Sequence, residues 1–317
     1  MKIISADEVH AALGYPELVD ALQDALGKDY NQPPRQVFLL DDADDKFDAF
    51  ALLPAWNDKI IAVKAFTYFP SNMPPHDLLY SKIMIFDRPH GEPLALVDGT
   101  SCTFWRTGGV SGLATRLLSR EDSSTMLLLG TGNLSTYMIR ANASVRPLDK
   151  IMVWGNPDGL PPIADAEAVI AQVERDLPNI EFSVITDLER ACGEADIIVS
   201  ATSSPDILVR GAWIKEGTHL DFIGNHHADK RECDTELITR GKVYADSYVN
   251  AFKEAGEILV PIAEGVFKKE DVVGELAEMC SGTVPLRTND QEITVFKAIG
   301  QAVTDLVAAS TAYSASE

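Results

Sequence analysis

This chain is short of positive charge. Its 317 residues hold 27 Lys and Arg against 48 Asp and Glu, a formal net charge of −21 at pH 7. Nucleic acid and anionic membrane would both be repelled, so neither is expected as a partner. Cysteine is scarce as well. Cys102, Cys192, Cys233 and Cys280 lie far apart with no Cys-x-x-Cys pair. That spacing excludes zinc-ribbon and dithiol motifs and predicts buried, inert thiols and no metal site. No apolar run reaches membrane-spanning length. Residues 1–8 lack a basic segment followed by an apolar signal core. A cytoplasmic protein is expected, long enough for two domains. An anionic substrate would need local cations to overcome the global field.

What is present falls into two patterns. Strand-like runs at 36–40, 47–53, 60–69, 80–86 and 93–97 are separated by turn chemistry such as Asn57-Asp58, Pro70-Ser71-Asn72 and His90-Gly91. They predict a meander or mixed sheet. Ahead of them, Ser5 with Glu8 predicts a capping box. Leu18, Leu22 and Leu26, with Ala21 and Ala25, predict an amphipathic helix. From Met126 the rhythm alternates. Strands are predicted at 126–129, 151–154, 181–185, 197–201, 219–223 and 243–245, with helices between them such as 163–175 and 188–192. Alternation of this kind predicts parallel strands with right-handed crossovers. The fold class is therefore α/β: a Rossmann-type doubly wound domain over 113–289, beside an α+β domain of 1–112 with 290–317. The segment 291–309 reads as a helix returning to that second domain, with a frayed tail after it.

The most informative stretch is Met126-Leu127-Leu128-Leu129 running into Gly130-Thr131-Gly132-Asn133-Leu134-Ser135. An apolar strand, a Gly-x-Gly turn and a helix start form the arrangement that holds a dinucleotide pyrophosphate. The first glycine permits the turn, and the second lets the backbone approach the phosphates. Small Ser135 lets the helix pack close to its strand, and the helix start offers N–H groups to the anion. The next strand ends in Trp154-Gly155-Asn156-Pro157-Asp158. Asn156 is a cofactor-contact candidate. No carboxylate stands at Gly155 to meet a ribose hydroxyl, which leans the expectation to NADPH over NADH. An inward fold of the loop would bring Asp158 to the ribose instead.

Three cations stand out as candidate chemistry. Arg35 follows Pro33-Pro34, Lys64 sits inside the apolar run 60–66, and Arg106 follows Thr103-Phe104-Trp105 at a predicted helix start. Singly, each has a plainer reading: a surface arginine, an edge-strand lysine, an arginine stacked on tryptophan. Lys64 is the hardest to dismiss. An ammonium in a buried strand needs an anionic partner or loses its charge.

Several segments resemble the ornithine cyclodeaminase/mu-crystallin family. They are Ala62-Val63-Lys64-Ala65-Phe66-Thr67-Tyr68-Phe69-Pro70, the block from Gly91-Glu92-Pro93 to Asp98-Gly99-Thr100, and Phe104-Trp105-Arg106-Thr107-Gly108-Gly109-Val110-Ser111. Ala201-Thr202-Ser203-Ser204-Pro205, Ile223-Gly224 and Gln291-Glu292-Ile293-Thr294-Val295-Phe296-Lys297 are also similar, so the likeness covers nearly the whole chain. It implies an NAD(P)-dependent enzyme acting on an α-amino, α-imino or cyclic imino acid, and a homodimer formed through the N-terminal sheet. It implies that Arg35, Lys64 and Arg106 grip the substrate carboxylate and that Thr107 contacts substrate or cofactor phosphate. It also adds Thr202 and Gly224 to the cofactor site.

Cyclodeaminases of this family carry an aspartate soon after the Ile-Gly strand end. Here Ile223-Gly224-Asn225-His226-His227-Ala228-Asp229 puts His226 at that position, with Asp221 and Asp229 out of register. The departure favours the imine-reductase branch, with a cyclic ketimine such as delta-1-pyrroline-2-carboxylate reduced to L-proline. His226 has the ordinary pKa of a proton-exchanging group, against the plainer reading of a surface loop histidine. The competing readings are ornithine cyclodeaminase, an alanine dehydrogenase-like enzyme, and a non-catalytic binding protein of the mu-crystallin kind.

Overall fold

The computed structural model describes residues 1–40, 48–157, 159–202 and 204–316. They form two compact units, Met1–Arg106 with Gln301–Glu317 and Thr107–Gly300. The chain passes between units six residues earlier than the expected 112/113 boundary, and eleven residues later than the expected 289/290 one.

The first unit contains β1 (Lys2–Ile4), α1 (Ala6–Ala12), α2 (Glu17–Leu26), β2 (Gln36–Leu39), β3 (Ala49–Trp56), β4 (Ile60–Tyr68), β5 (Leu79–Asp87) and β6 (Pro93–Asp98). It also holds the start of α3 (Gly99–Leu118) and the last helix, α11 (Ala302–Ala315). The predicted capping box closes on α1, with Ser5 N donating to Glu8 Oε2 at 2.8 Å and Glu8 N to Ser5 Oγ at 3.3 Å. The sheet order is β1-β6-β5-β4-β3-β2, antiparallel except for β1 on β6. Phe47, in the predicted 47–53 strand, lies outside the described residues. Period-two alternation buries one face, and the register sets Ile4, Val97, Ile83, Lys64 and Leu53 in a single row across it. Helix α11 packs on β3, β4 and β5. Lys64 is the one charge among those five residues of the row.

The second unit holds β7 (Thr125–Leu129), α4 (Ser135–Val145), β8 (Lys150–Trp154), α5 (Ile163–Val173), β9 (Glu181–Ile185), α6 (Leu188–Glu194) and β10 (Ile197–Ser200). After these come β11 (His219–Phe222), α7 (Thr235–Arg240), β12 (Lys242–Ala245), α8 (Tyr248–Glu254), α9 (Gly256–Ala263), β13 (Val272–Glu275), α10 (Leu276–Ser281) and β14 (Thr294–Lys297). All eight strands are parallel, in the order β13-β12-β14-β11-β10-β7-β8-β9. This is a doubly wound sheet, its inner strands buried on both faces.

Two expectations are corrected by the strands. The segment 291–309 is not one helix: Thr294–Lys297 is β14, inserted between β11 and β12, and α11 begins only at Ala302. A run buried on every side has no period to separate strand from helix, and the β-branched and aromatic Thr294, Val295 and Phe296 decide for strand. The tail does not fray at Ala309 either, since α11 continues to Ala315.

Candidate active site

The Gly130 turn lies at the carboxyl end of β7, between β8 and β10, where the winding of the sheet reverses. Open α/β sheets bind nucleotides in the crevice at such a point. Gly130 has φ +112°, and a Cβ there would stand 2.5 Å from Ala201 O. Only glycine fits. A Cβ on Gly132 would meet nothing within 4 Å, so the space before the turn is open. Ser135 is buried and its Oγ donates to Gly130 O at 2.9 Å, tying the start of α4 to the turn. Asn133 and Leu134 complete the approach to that helix.

A cavity of about 540 Å³ opens here, lined by Gly130, Thr131, Gly132, Trp154, Ala201 and Thr202, with Leu160, Pro161, Asp165, Ser204, Pro205, Asp206 and Leu208. The glycine cradle, the helix start and the crevice fit a dinucleotide. Asn156 is not among the lining residues, and its N–H donates to the lining residue Pro161 at its O, 2.6 Å away. Asp158 lies outside the described residues. Two carboxylates line the cavity, Asp165 in the first turn of α5 and Asp206 after β10. Among the described residues that line it there is no Lys, Arg or His.

Thr202 and Gly224 come together through a residue that sequence reasoning missed. Buried Glu232 accepts through Oε1 from Thr202 N (3.0 Å), Thr202 Oγ1 (2.6 Å) and Ser200 Oγ (2.7 Å). Its Oε2 accepts from Gly224 N at 3.0 Å. One carboxylate thus locks the loops after β10 and β11. A Cβ on Gly224 would collide with Thr202 O. Behind Glu232, Lys297 Nζ pairs with buried Glu257 Oε2 at 3.0 Å and donates to Asn225 O at 2.8 Å. Asn225 Nδ2 in turn donates to Ser204 O at 2.8 Å. A lysine ending the apolar run Thr294-Val295-Phe296 was the available signal for this layer.

In the first unit the structure brings Lys64 and Arg106 onto one carboxylate. Lys64 Nζ lies 3.2 Å and Arg106 Nε 3.1 Å from Asp305 Oδ1. Lys64 Nζ also donates to Thr103 Oγ1 at 2.6 Å, and that hydroxyl donates to Gly99 O at 2.7 Å. Lys64 is 4 % exposed and Asp305 1 %. Burial lowers the lysine pKa and Asp305 opposes that shift, while Arg106 adds to it. Arg106 is not at a helix start. It is the eighth residue of α3, which begins at Gly99, with Asp98 Oδ1 accepting from Ser101 N at 2.9 Å. Asp305 was missed because 302–315 is apolar nearly all round, which hides which side of the helix faces the sheet.

The remaining candidates belong to different units, Arg35 to the first and Thr107 and His226 to the second. Arg35 is half-buried just before β2. Thr107 follows Arg106 in α3 and is buried. His226 is exposed in the loop after β11, beside buried Asn225.

A sequence model of the ornithine cyclodeaminase/mu-crystallin family matches residues 2–317. The chain belongs to that family. A delta(1)-pyrroline-2-carboxylate reductase from Colwellia psychrerythraea is 46% identical over 312 residues, which span 98% of this chain and 97% of the relative. The delta(1)-pyrroline-2-carboxylate reductase of Thermococcus litoralis, solved with NADH and L-proline, superposes with a TM-score of 0.90 at 29% identity, over 100% of this chain and 97% of that one. An archaeal alanine dehydrogenase dimer with bound NAD superposes at 0.89 with 25% identity, over 100% and 96% of the two chains. Among the described residues no helix is long and apolar enough to cross a membrane.

Proposed function

We propose that this member of the family is an NAD(P)H-dependent reductase of a cyclic or linear α-imino acid, with delta-1-pyrroline-2-carboxylate to L-proline as its reaction. The observation that carries the reading is the Lys64–Asp305–Arg106 cluster, which sets two cations against one carboxylate in a buried setting. The cluster has one positive charge to spare, and an α-imino acid brings one carboxylate. Arginine offers that carboxylate a fork and lysine a point charge. Continuing the β2–β3 register one step back from Gln36 sets Arg35 in the row of Leu53 and Lys64, about 10 Å from the lysine by strand spacing. That position supports its share in the grip.

Holding the carboxylate fixes the adjacent C=N carbon in orientation, so the reaction starts from an ordered pair of reactants. When bound, the nicotinamide supplies the hydride. Thr107 stands next to Arg106 in the chain and is assigned to substrate or cofactor phosphate. Exposed His226 is assigned the proton exchange at the imine nitrogen. Asp165 and Asp206, with no basic side chain in the same lining, favour NADH, because a 2′-phosphate would be repelled. This reverses the lean that Gly155 gave.

The second face of the N-terminal sheet supports a homodimer. Pro54, Val63, Met84 and Leu96 form a half-buried apolar row on it, and Val37, Phe38 and Leu39 of edge strand β2 are exposed. Four free cysteines, three of them buried, fit a reducing cytoplasm.

Product analysis with three substrate sets tests the reading: pyrroline-2-carboxylate with NADH or NADPH, pyruvate with ammonia and NADH, and ornithine with NAD. The expected result is L-proline with stoichiometric NADH oxidation, and an NADH preference that weakens in Asp165→Asn. Ammonia release from ornithine without net change in nicotinamide would overturn it.

A further inference from the structure

We infer that Asp305 is a positioning residue of the substrate site, the hub that holds Lys64 and Arg106 side by side and keeps both charged for the incoming carboxylate. The inference rests on the proposed grip of the substrate carboxylate and names a residue behind it.

The geometry requires such a hub. Lys64 occupies a row of buried aliphatic side chains, Ile4, Val97, Ile83 and Leu53, where an unpartnered ammonium is unstable. Arg106 brings a second cation to the same spot. Two such charges held about 3 Å from one oxygen repel each other strongly unless that oxygen is anionic. Asp305 meets both through Oδ1 alone. It takes the arginine through Nε, so the guanidinium's terminal nitrogens are the ones assigned to the substrate. Thr103 sets the direction of the ammonium from the far side, anchored to Gly99 O.

The charged and titratable groups facing Lys64 are Asp305 from α11 and Arg106 and Cys102 from α3, with the Phe66 ring 5.9 Å away on its own strand. Burial and Arg106 drive the ammonium toward its neutral form, and Asp305 is the chief opposing group. Asp305 is itself enclosed. Its contribution passes through the two cations.

The test uses the full-length enzyme saturated with NADH, with steady-state kinetics on pyrroline-2-carboxylate across pH and 1-pyrroline as the ring without a carboxylate. In Asp305→Asn the basic limb of kcat/KM is expected to move about one pH unit or more toward acid. The KM for pyrroline-2-carboxylate should rise about tenfold, with the KM for NADH unchanged and any turnover of 1-pyrroline reduced less than that of pyrroline-2-carboxylate. Asp305→Glu keeps the charge but displaces it by a methylene. Its limb should return to the wild-type position while the imino-acid KM stays raised several-fold. A limb unmoved in Asp305→Asn, or moved equally in both variants, overturns the inference. Should Asp305→Asn not fold, a wild-type KM in Asp305→Glu overturns it as well. Wild-type enzyme that ignores pyrroline-2-carboxylate would instead defeat the proposed function.

Discussion

The two units each bury a lysine in a strand, and the two lysines are solved in opposite ways. Lys297 of β14 meets Glu257 and the Asn225 carbonyl, with Glu232, Asp221 and Asp246 in the same buried layer. Acid is in surplus there, and the cation ties the loops after β10 and β11 to their scaffold. Lys64 of β4 shares its carboxylate with Arg106, so base is in surplus. A buried cluster whose surplus charge is met by the protein's own backbone N–H groups and hydroxyls, as that of Glu232 is, is architecture. One left with surplus positive charge is a place for an anionic ligand. In a chain of net charge −21 such a local reversal is the feature an anionic substrate requires.

Breaking the two clusters should separate stability from activity. Lys297→Met leaves Glu257 buried without its cation, so a stability loss of about 3–5 kcal/mol is expected in urea unfolding. With NADH saturating, the kcat/KM for the imino acid of the molecules that remain folded should stay within about threefold of wild type. Lys64→Met should do the reverse. Asp305 retains Arg106, so stability falls by only about 1–2 kcal/mol, while kcat/KM for the imino acid drops roughly a hundredfold or more. Matching losses of stability and activity in both variants would erase the contrast.

Smaller changes sharpen it. Glu232→Gln exchanges one acceptor oxygen for a donor facing either Gly224 N or the Thr202 group, and the loops at the cofactor cavity loosen. A KM for NADH raised about tenfold, with the KM for the imino acid little changed, is expected from initial rates. Asp221 gives a pH signature. Burial raises its carboxyl pKa to about 7. A carboxyl raised on folding stabilises the fold below its unfolded value, about 3.9, and that stabilisation is lost as pH rises through about 7. Asp221→Asn has no such loss. The stability gap in its favour should widen from pH 4 to pH 7 and level off above, as read by chemical denaturation at four pH values.

Legibility followed periodicity. The N-terminal strands alternate, so 60–69 and 93–97 were read almost to their observed ends, and the Gly130 turn carried its own stereochemistry. β14 was read as helix because a strand between two others, beneath covering layers, is buried at every position and shows no alternation. Lys64 was visible as a charge out of place in a strand. Its partner was not, since Asp305 lies 241 positions away on a helix without a polar face. Glu232 was hidden for a related reason: its function consists of backbone N–H groups that it accepts from, and these leave no trace in composition. The lean to NADPH was drawn from the strand end alone, and the carboxylates that line the cavity, Asp165 of α5 and Asp206 after β10, lie outside the stretch that the usual pattern inspects.

The most direct measurement is a crystal structure of the enzyme with NADH and L-proline bound. The proline carboxylate should lie about 3 Å from Lys64 Nζ and from the terminal nitrogens of Arg106, with Asp305 still bridging the two cations. A carboxylate seated elsewhere, with Lys64 and Arg106 closed on Asp305 alone, would contradict the account.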